Sequence, residues 1–179
     1  DTYFSSPMRF VMVTTNCLTG EANYLEDKKS KERVIDIVKA SSSLPFVSPI
    51  TYVDEVPMLD GGIVDSIPLA HAVQEGYTKN LVVLTRPKGY RKDTKDIKVP
   101  SFIYRKYPKL REALSSRCAA YNAQLDLVDE YEEKGLIMTI RPQQPVEVDR
   151  LEKDVKKLES LYEEGYKCAS DVLKREFVH

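Results

Sequence analysis

Glycine is scarce in this sequence. It supplies 7 of the 179 residues, or about 4% against a usual level of roughly 7%. Loops whose backbone amides hold a phosphate or an oxyanion depend on glycine, so several such loops would be hard to build from so few. Neither G-x-G-x-x-G nor G-x-x-x-x-G-K-[ST] occurs, which excludes the usual dinucleotide and nucleotide loops.

Charge, cysteine and histidine are limited as well. With 27 Lys and Arg against 28 Asp and Glu the net charge is −1, so no basic field is available to recruit nucleic acid. Only two histidines occur, and we expect no metal and no cofactor. The cysteines lack C-x-x-C spacing, which predicts reduced thiols in a cytoplasmic protein; they are Cys17, Cys118 and Cys168. No apolar run approaches the ~20 residues of a membrane span, although peripheral membrane contact stays open.

The pattern of apolar residues predicts an α/β protein. A length of 179 residues with 42% apolar content suffices for a domain with a buried core. Short apolar runs alternate with helical spacing, which is typical of a sheet covered by helices on both faces. We predict strands at 9–15, 21–25, 50–53, 57–59, 80–85 and 136–140, and helices at 30–40, 68–75, 108–134 and 149–177. The strand at 80–85 is expected to be fully buried.

The composition changes near residue 90, and we predict two segments, 1–90 and 91–179. From Arg86 to Arg111 the chain has ten basic and two acidic residues, a charge that argues against a place in the core. This stretch either contacts anionic lipid headgroups or pairs with the acidic region 126–164, which has twelve acidic and six basic residues.

The most informative stretch centres on Asp60-Gly61-Gly62. Asp60 ends a short predicted strand, and the two glycines after it allow close approach of the backbone. A carboxylate at the carboxyl end of a strand projects into a crevice, which is a position for a catalytic or ligand-holding group. The alternative is that Asp60-Gly61 forms an ordinary turn.

The wider pattern resembles the C-terminal half of the patatin-like phospholipase domain. The matching pieces are Ala40-Ser41-Ser42-Ser43-Leu44-Pro45, which fits Ala-Ser-x-x-x-Pro, then the hairpin 50–59, Asp60-Gly61-Gly62 and Pro68. The resemblance covers roughly residues 8–90, and the helices at 108–134 and 149–176 resemble the C-terminal extension of bacterial members. It implies a three-layer α/β/α sandwich that is incomplete in this chain.

The resemblance also implies a lipid acyl hydrolase that cleaves acyl esters with a Ser–Asp dyad. Asp60 would be the general base, Gly61 and Gly62 would shape its turn, and Pro45 and Phe46 would line the approach of the substrate. No G-x-S-x-G occurs in the chain, and its first residue is Asp1 rather than Met. We therefore expect an absent N-terminal half that carries the nucleophile and the oxyanion loop.

The expected absent half has consequences for partners and for the sheet, and other interpretations of the chain compete with it. The partners would be the absent half and a lipid or acyl-ester substrate, with a homo-oligomer left open. The strands at 10–15 and 80–85 would lack sheet partners unless the absent half remains bound. A non-catalytic binding protein of the same fold is the competing hypothesis.

Three other groups of residues are candidates for chemistry. His71 could act in a catalytic triad, although it lies in the middle of a predicted helix. Asp60 and Asp65 could bind Mg²⁺. Ser41–Ser43 could supply a nucleophile, although a loop at the end of a helix is the simpler interpretation of these serines.

Overall fold

A computed structural model describes residues 2–94, 99–146, 148 and 152–177. Residues 175–177 are described by their backbone alone. The chain forms two compact units. The first contains Asp1–Pro68 and Lys92–Gln124, and the second contains Leu69–Arg91 and Leu125–His179. Each unit thus takes residues from both sides of residue 90, and the predicted division of the chain there stays a prediction.

The first unit is built around a four-stranded antiparallel sheet. Its strands are β1 (Met12–Asn16), β2 (Ala22–Leu25), β3 (Thr51–Val53) and β4 (Val56–Asp60), in the order β2-β1-β4-β3. Thr14 of β1 pairs with Asn23 on one side and with Asp60 on the other. The expectation that the strand at 10–15 lacks sheet partners is therefore wrong, because the chain's own hairpins supply neighbours at both of its edges.

Helices cover both faces of this sheet. Successive residues of a strand point to opposite faces, and Met58 packs in a cluster with Ile37 of α2 (Lys31–Ser41). The next residue, Leu59, packs in a second cluster with Leu110 and Leu114 of α4 (Pro108–Glu133). This confirms the predicted α/β sandwich.

The ends of the first-unit helices follow local chemistry. α2 begins after Ser30, whose hydroxyl oxygen accepts a hydrogen bond from the Arg33 N–H at 3.2 Å and satisfies one of the free amides of the first turn. α4 begins at Pro108, because proline has no N–H to leave unpaired there. A short α1 (Thr2–Ser5) precedes the sheet.

The second unit contains a two-stranded parallel sheet. β5 (Asn80–Val83) pairs with β6 (Ile137–Ile140), and the other elements are α3 (Leu69–Gln74) and α5 (Val155–Phe177). The expectation that the strand at 80–85 lacks a partner is wrong, since β6 fills that place. Its predicted full burial is also wrong: Leu81 and Val83 are 44% and 68% exposed. They alternate with less exposed neighbours, so one face of the strand is only partly covered.

The other predicted elements agree with the structure to within a few residues, apart from 149–151 of the last helix, which lie outside the described residues. All three cysteines are free, as expected. Among the described residues no helix is both long enough and apolar enough to span a membrane.

Ion pairs join part of the basic stretch to α4 within the second unit. Arg91 lies 2.6 Å from the carboxylate of Asp126 and 3.0 Å from that of Asp129. Arg141 lies 3.0 Å from Asp129 and 2.9 Å from Glu132, and Lys88 reaches Glu132 at 3.1 Å. The predicted pairing of basic and acidic regions is confirmed for residues 88 and 91.

Acid should destabilise this network. Burial raises the pKa of Asp129, but hydrogen bonds from Arg91 and Arg141 outweigh it and hold the pKa below its ordinary value. A pKa that is lower in the folded state than in the unfolded state stabilises the fold at neutral pH, and this contribution is lost as the pH falls through the lowered pKa, below about 4. Urea midpoints should fall over that range. Arg141→Met should be less stable at neutral pH and lose less on acidification, and a pH dependence equal to the parent's would contradict this.

A core truncation tests the packing under the sheet. Leu59 is fully buried between β4 and α4, so Leu59→Ala should lower the free energy of unfolding by about 2–5 kcal/mol. Leu18→Ala, at a side chain that is 56% exposed, is the matched control and should change it by less than about 1 kcal/mol. Urea denaturation measures both, and equal effects would show that Leu59 is not part of a packed core.

Candidate functional site

Asp60 is held rigidly at the end of β4. Its N–H donates to the Ser43 carbonyl at 2.9 Å, and its carbonyl accepts the Thr15 hydroxyl at 2.8 Å. Its carboxylate Oδ1 accepts the Gly62 N–H at 2.6 Å and so caps the short 3-10 helix Gly61–Ile63. Within the described residues Oδ2 has no hydrogen-bond partner. The side chain is thus fixed through one oxygen while the other is available.

The two glycines after Asp60 both lie in close contacts, and the contact at Gly61 is with backbone. A Cβ at Gly61 would lie 2.4 Å from the carbonyl oxygen of Val13 on β1, which no real side chain tolerates. A Cβ at Gly62 would lie 3.0 Å from Asp60 Oδ1, in the space that the carboxylate occupies. The close backbone approach expected from this tripeptide is therefore present at Gly61, and Gly62 leaves room for the Asp60 carboxylate.

Asp60 lines a cavity of about 340 Å³ in the first unit. Apolar residues from β1 and the segment before it form one part of its wall, and polar groups from the turn after β4 form another. The lining residues are Phe10, Val11, Met12, Val13, Ser41, Asp60, Gly61, Gly62, Asp65, Ser66 and Pro68. The cavity therefore presents a carboxylate beside apolar surface, a combination suited to a substrate that has an apolar and a polar part.

Asp65, the second carboxylate of the cavity, is engaged elsewhere. Its Oδ2 accepts the Tyr24 hydroxyl at 2.6 Å, and its N–H donates to the Gly61 carbonyl at 2.8 Å. Burial and the bond to Asp65 raise the pKa of Tyr24 well above its ordinary value, which keeps the hydroxyl protonated and donating. In the described part of the chain no group of three His, Cys, Asp or Glu side chains suited to a metal ion occurs, so no third side chain of these types joins Asp60 and Asp65.

Two polar residues of α4 fix the turn that carries Asp60. Gln124 accepts from the Ser66 and Ile67 N–H groups at 3.0 and 3.1 Å, and its Nε2 donates to the Val64 carbonyl at 2.8 Å. Arg117 donates to the Gly62 carbonyl at 3.1 Å. The sequence analysis did not predict a role for either residue. Their spacing of seven residues, about two helical turns, places them on one face of α4 and was the one local sign of a shared contact.

The serines at the end of α2 have mainly structural roles. The hydroxyls of Ser42 and Ser43 donate to the Val38 and Lys39 carbonyls four residues before them, which is the helix-end role expected of them. Ser41 lines the cavity, but its hydroxyl donates to the Val13 carbonyl at 2.8 Å. The structure therefore brings one of the three serines to Asp60's cavity.

The remaining predicted residues lie apart from this cavity lining. Pro45 is buried and Phe46 is 53% exposed, and neither lines the cavity with Asp60. Their assignment to substrate binding stays a prediction. His71 lies on α3 in the second unit, half-buried, with its Nε2 3.6 Å from Glu75 Oε1. This is the mid-helix place expected for it.

Comparison with known families gives two separate matches. Residues 8–73, which include β1 to β4, the Asp60 turn and all of the cavity lining, match the model of the Patatin-like phospholipase family. Residues 107–176 match a family described as a domain of unknown function, DUF6363. A comparison with curated proteins found no match.

Substitution of Gly61 tests the close contact that positions Asp60. Gly61→Ala places a methyl group against the β1 backbone and should lower the free energy of unfolding by about 2–4 kcal/mol, because backbone cannot move aside cheaply. Gly165→Ala on α5 is the matched control. It meets nothing within 4 Å and should stabilise by up to about 1 kcal/mol. Denaturant midpoints compare the two, and a neutral Gly61→Ala would contradict the contact.

Proposed function

We propose that this chain contributes the general base to a lipid acyl hydrolase. Asp60 takes the proton from a serine hydroxyl that attacks an acyl ester, and the serine belongs to a segment outside these 179 residues. Support for the assignment comes from the match of residues 8–73 to the Patatin-like phospholipase family and from the place of Asp60 within that match. The absence of G-x-S-x-G from the sequence supports the external position of the serine.

The observation that carries the proposal is that the two oxygens of the Asp60 carboxylate have different surroundings. Oδ1 of Asp60 is fixed by the Gly62 N–H at 2.6 Å, and Oδ2 is left without a partner among the described residues. A general base needs a lone pair aimed at an incoming hydroxyl and a side chain that does not rotate away from it. Asp65 in the same cavity lacks this property, because its carboxylate already accepts the Tyr24 hydroxyl.

The chemistry proceeds in two halves. As the serine oxygen forms a bond to the acyl carbonyl carbon, its proton moves to Asp60 Oδ2, and that proton then passes to the oxygen of the departing alcohol as the ester bond breaks. In the second half water attacks the acyl-serine, gives a proton to Asp60, and releases the fatty acid while the proton returns to the serine. Asp60 is unchanged over the cycle.

A pair of isosteric substitutions in the full-length protein tests the role of Asp60. Asp60→Asn keeps the Oδ1 bond to Gly62 and removes the proton acceptor, so kcat for a short soluble ester should fall by about 10²–10⁴-fold. Asp65→Asn removes a charge from the same cavity and should change kcat by less than about tenfold, because that carboxylate holds Tyr24 rather than a reacting group.

The two variants are compared by ester hydrolysis under saturating substrate and by thermal unfolding. Equal unfolding midpoints with a selective loss in Asp60→Asn support the proposal. Near-parental kcat in Asp60→Asn, or a larger loss in Asp65→Asn, would overturn the assignment.

A further inference from the structure

Two loops of the first unit are joined by an aromatic contact. The loops are residues 44–47, after α2, and residues 101–107, before α4. The Phe46 N–H donates to the Tyr104 hydroxyl at 2.8 Å, and the two ring centroids are 5.7 Å apart. Both residues have left-handed backbone, with φ of 68° and 52°, a conformation that bulky L-residues rarely adopt. Such strain persists only where surrounding contacts determine the loop shape, and it concentrates at functional sites.

The second loop has one large apolar side chain, Phe102, that does not pack in the core. Ile103, Tyr104 and Tyr107 pack against the core cluster beneath α4. Backbone bonds from the Ile103 N–H to Pro100 and from the Tyr107 N–H to Tyr104 hold the turns between them. Phe102, in the same ordered segment, is 77% exposed.

The first loop contributes a second exposed apolar side chain. Val47 follows Phe46 directly and is 81% exposed. The contact between Phe46 and Tyr104 therefore brings an aliphatic and an aromatic side chain to neighbouring loops with neither of them buried.

The second loop also has two positive charges. Arg105 and Lys106 are exposed and have no ion pair within the described residues, whereas Lys109 is paired with Glu112 at 2.8 Å. No acidic residue occurs in 44–53 or in 99–111. We call the set formed by Val47, Phe102, Arg105 and Lys106 the apolar–basic patch.

We propose that the apolar–basic patch docks on the surface of an anionic lipid bilayer. Exposed apolar side chains gain from entering the boundary between headgroups and acyl chains, and basic side chains beside them gain from the headgroup phosphates. A nucleic acid is a poorer fit, because Val47 offers no face on which a base stacks. This binding function goes beyond the proposed hydrolysis and does not require it.

Vesicle flotation tests the patch in full-length protein that carries Asp60→Asn, so that lipid is not consumed. The protein should bind vesicles of phosphatidylcholine with phosphatidylglycerol more tightly than vesicles of phosphatidylcholine alone, and salt should weaken the difference. Val47→Ser with Phe102→Ser should weaken binding by about tenfold. Arg105→Gln with Lys106→Gln should weaken it by about tenfold and remove most of the salt dependence.

Matched controls change the same chemistry at other exposed positions. Val155→Ser with Tyr162→Ser removes an aliphatic and an aromatic residue from α5, where they are 63% and 71% exposed. Lys29→Gln with Lys31→Gln removes two exposed positive charges around the start of α2. Both controls should bind as the parent does, and thermal unfolding confirms that all variants are folded.

The proposal is overturned if the patch variants bind vesicles like the parent, or if the control variants lose as much affinity for vesicles as the patch variants do. It is also overturned if the patch substitutions weaken binding to single-stranded DNA and leave binding to vesicles unchanged. Failure of the proposed hydrolysis has a separate signature. The patch variants in the background with Asp60 intact should retain parental turnover of a short soluble ester, whereas Asp60→Asn loses that turnover whether or not it binds vesicles.

Discussion

The close approach of the Asp60 turn to β1 is the contact on which the site depends. Gly61 has no room for a Cβ against Val13, so the chain after β4 folds directly over the neighbouring strand. That fold places the Gly62 N–H under Asp60 Oδ1 and puts the Asp60 side chain at the cavity beside β1. A larger residue at Gly61 would push against the β1 backbone, and one at Gly62 would crowd the Asp60 carboxylate.

Charge is arranged differently in the two parts of the basic stretch. In the second unit Lys88 and Arg91 meet acidic residues of α4, so their charges are neutralised within the unit. In the first unit Arg105 and Lys106 have no such partner among the described residues, and they stand beside the exposed Phe102. The net charge of −1 over the whole sequence conceals this local separation.

Much of the fold could be predicted from the sequence, because apolar spacing and turn residues mark the elements locally. Ser30, Pro108 and the Asp60-Gly61-Gly62 turn lie where the pattern placed them. The predictions that are wrong concern which strands pair and which faces are covered, not where the helices and strands lie. A short apolar run such as 80–85 looks the same whether one or both of its faces are covered, and neither edge pairing of β1 is visible in its own residues. The contacts of Gln124 and Arg117 join positions more than 50 residues apart, which a single sequence does not reveal.

The same limit applies to the site. Asp60 could be singled out because a carboxylate before two glycines is a local pattern. The engagement of Asp65 by Tyr24 could not be, since it depends on how β2 packs beside the turn. The contact of Phe46 with Tyr104 could not be predicted either, because the two residues are 58 positions apart in the sequence.

Mapping of the serine labelled by a fluorophosphonate in the full-length protein tests the central claim most directly. The account predicts one labelled serine, outside these 179 residues, whose labelling rate falls sharply in Asp60→Asn and changes little in Asp65→Asn. A label on Ser41 or any other serine within the chain would contradict the account, and absence of labelling would favour a non-catalytic binding protein of the same fold.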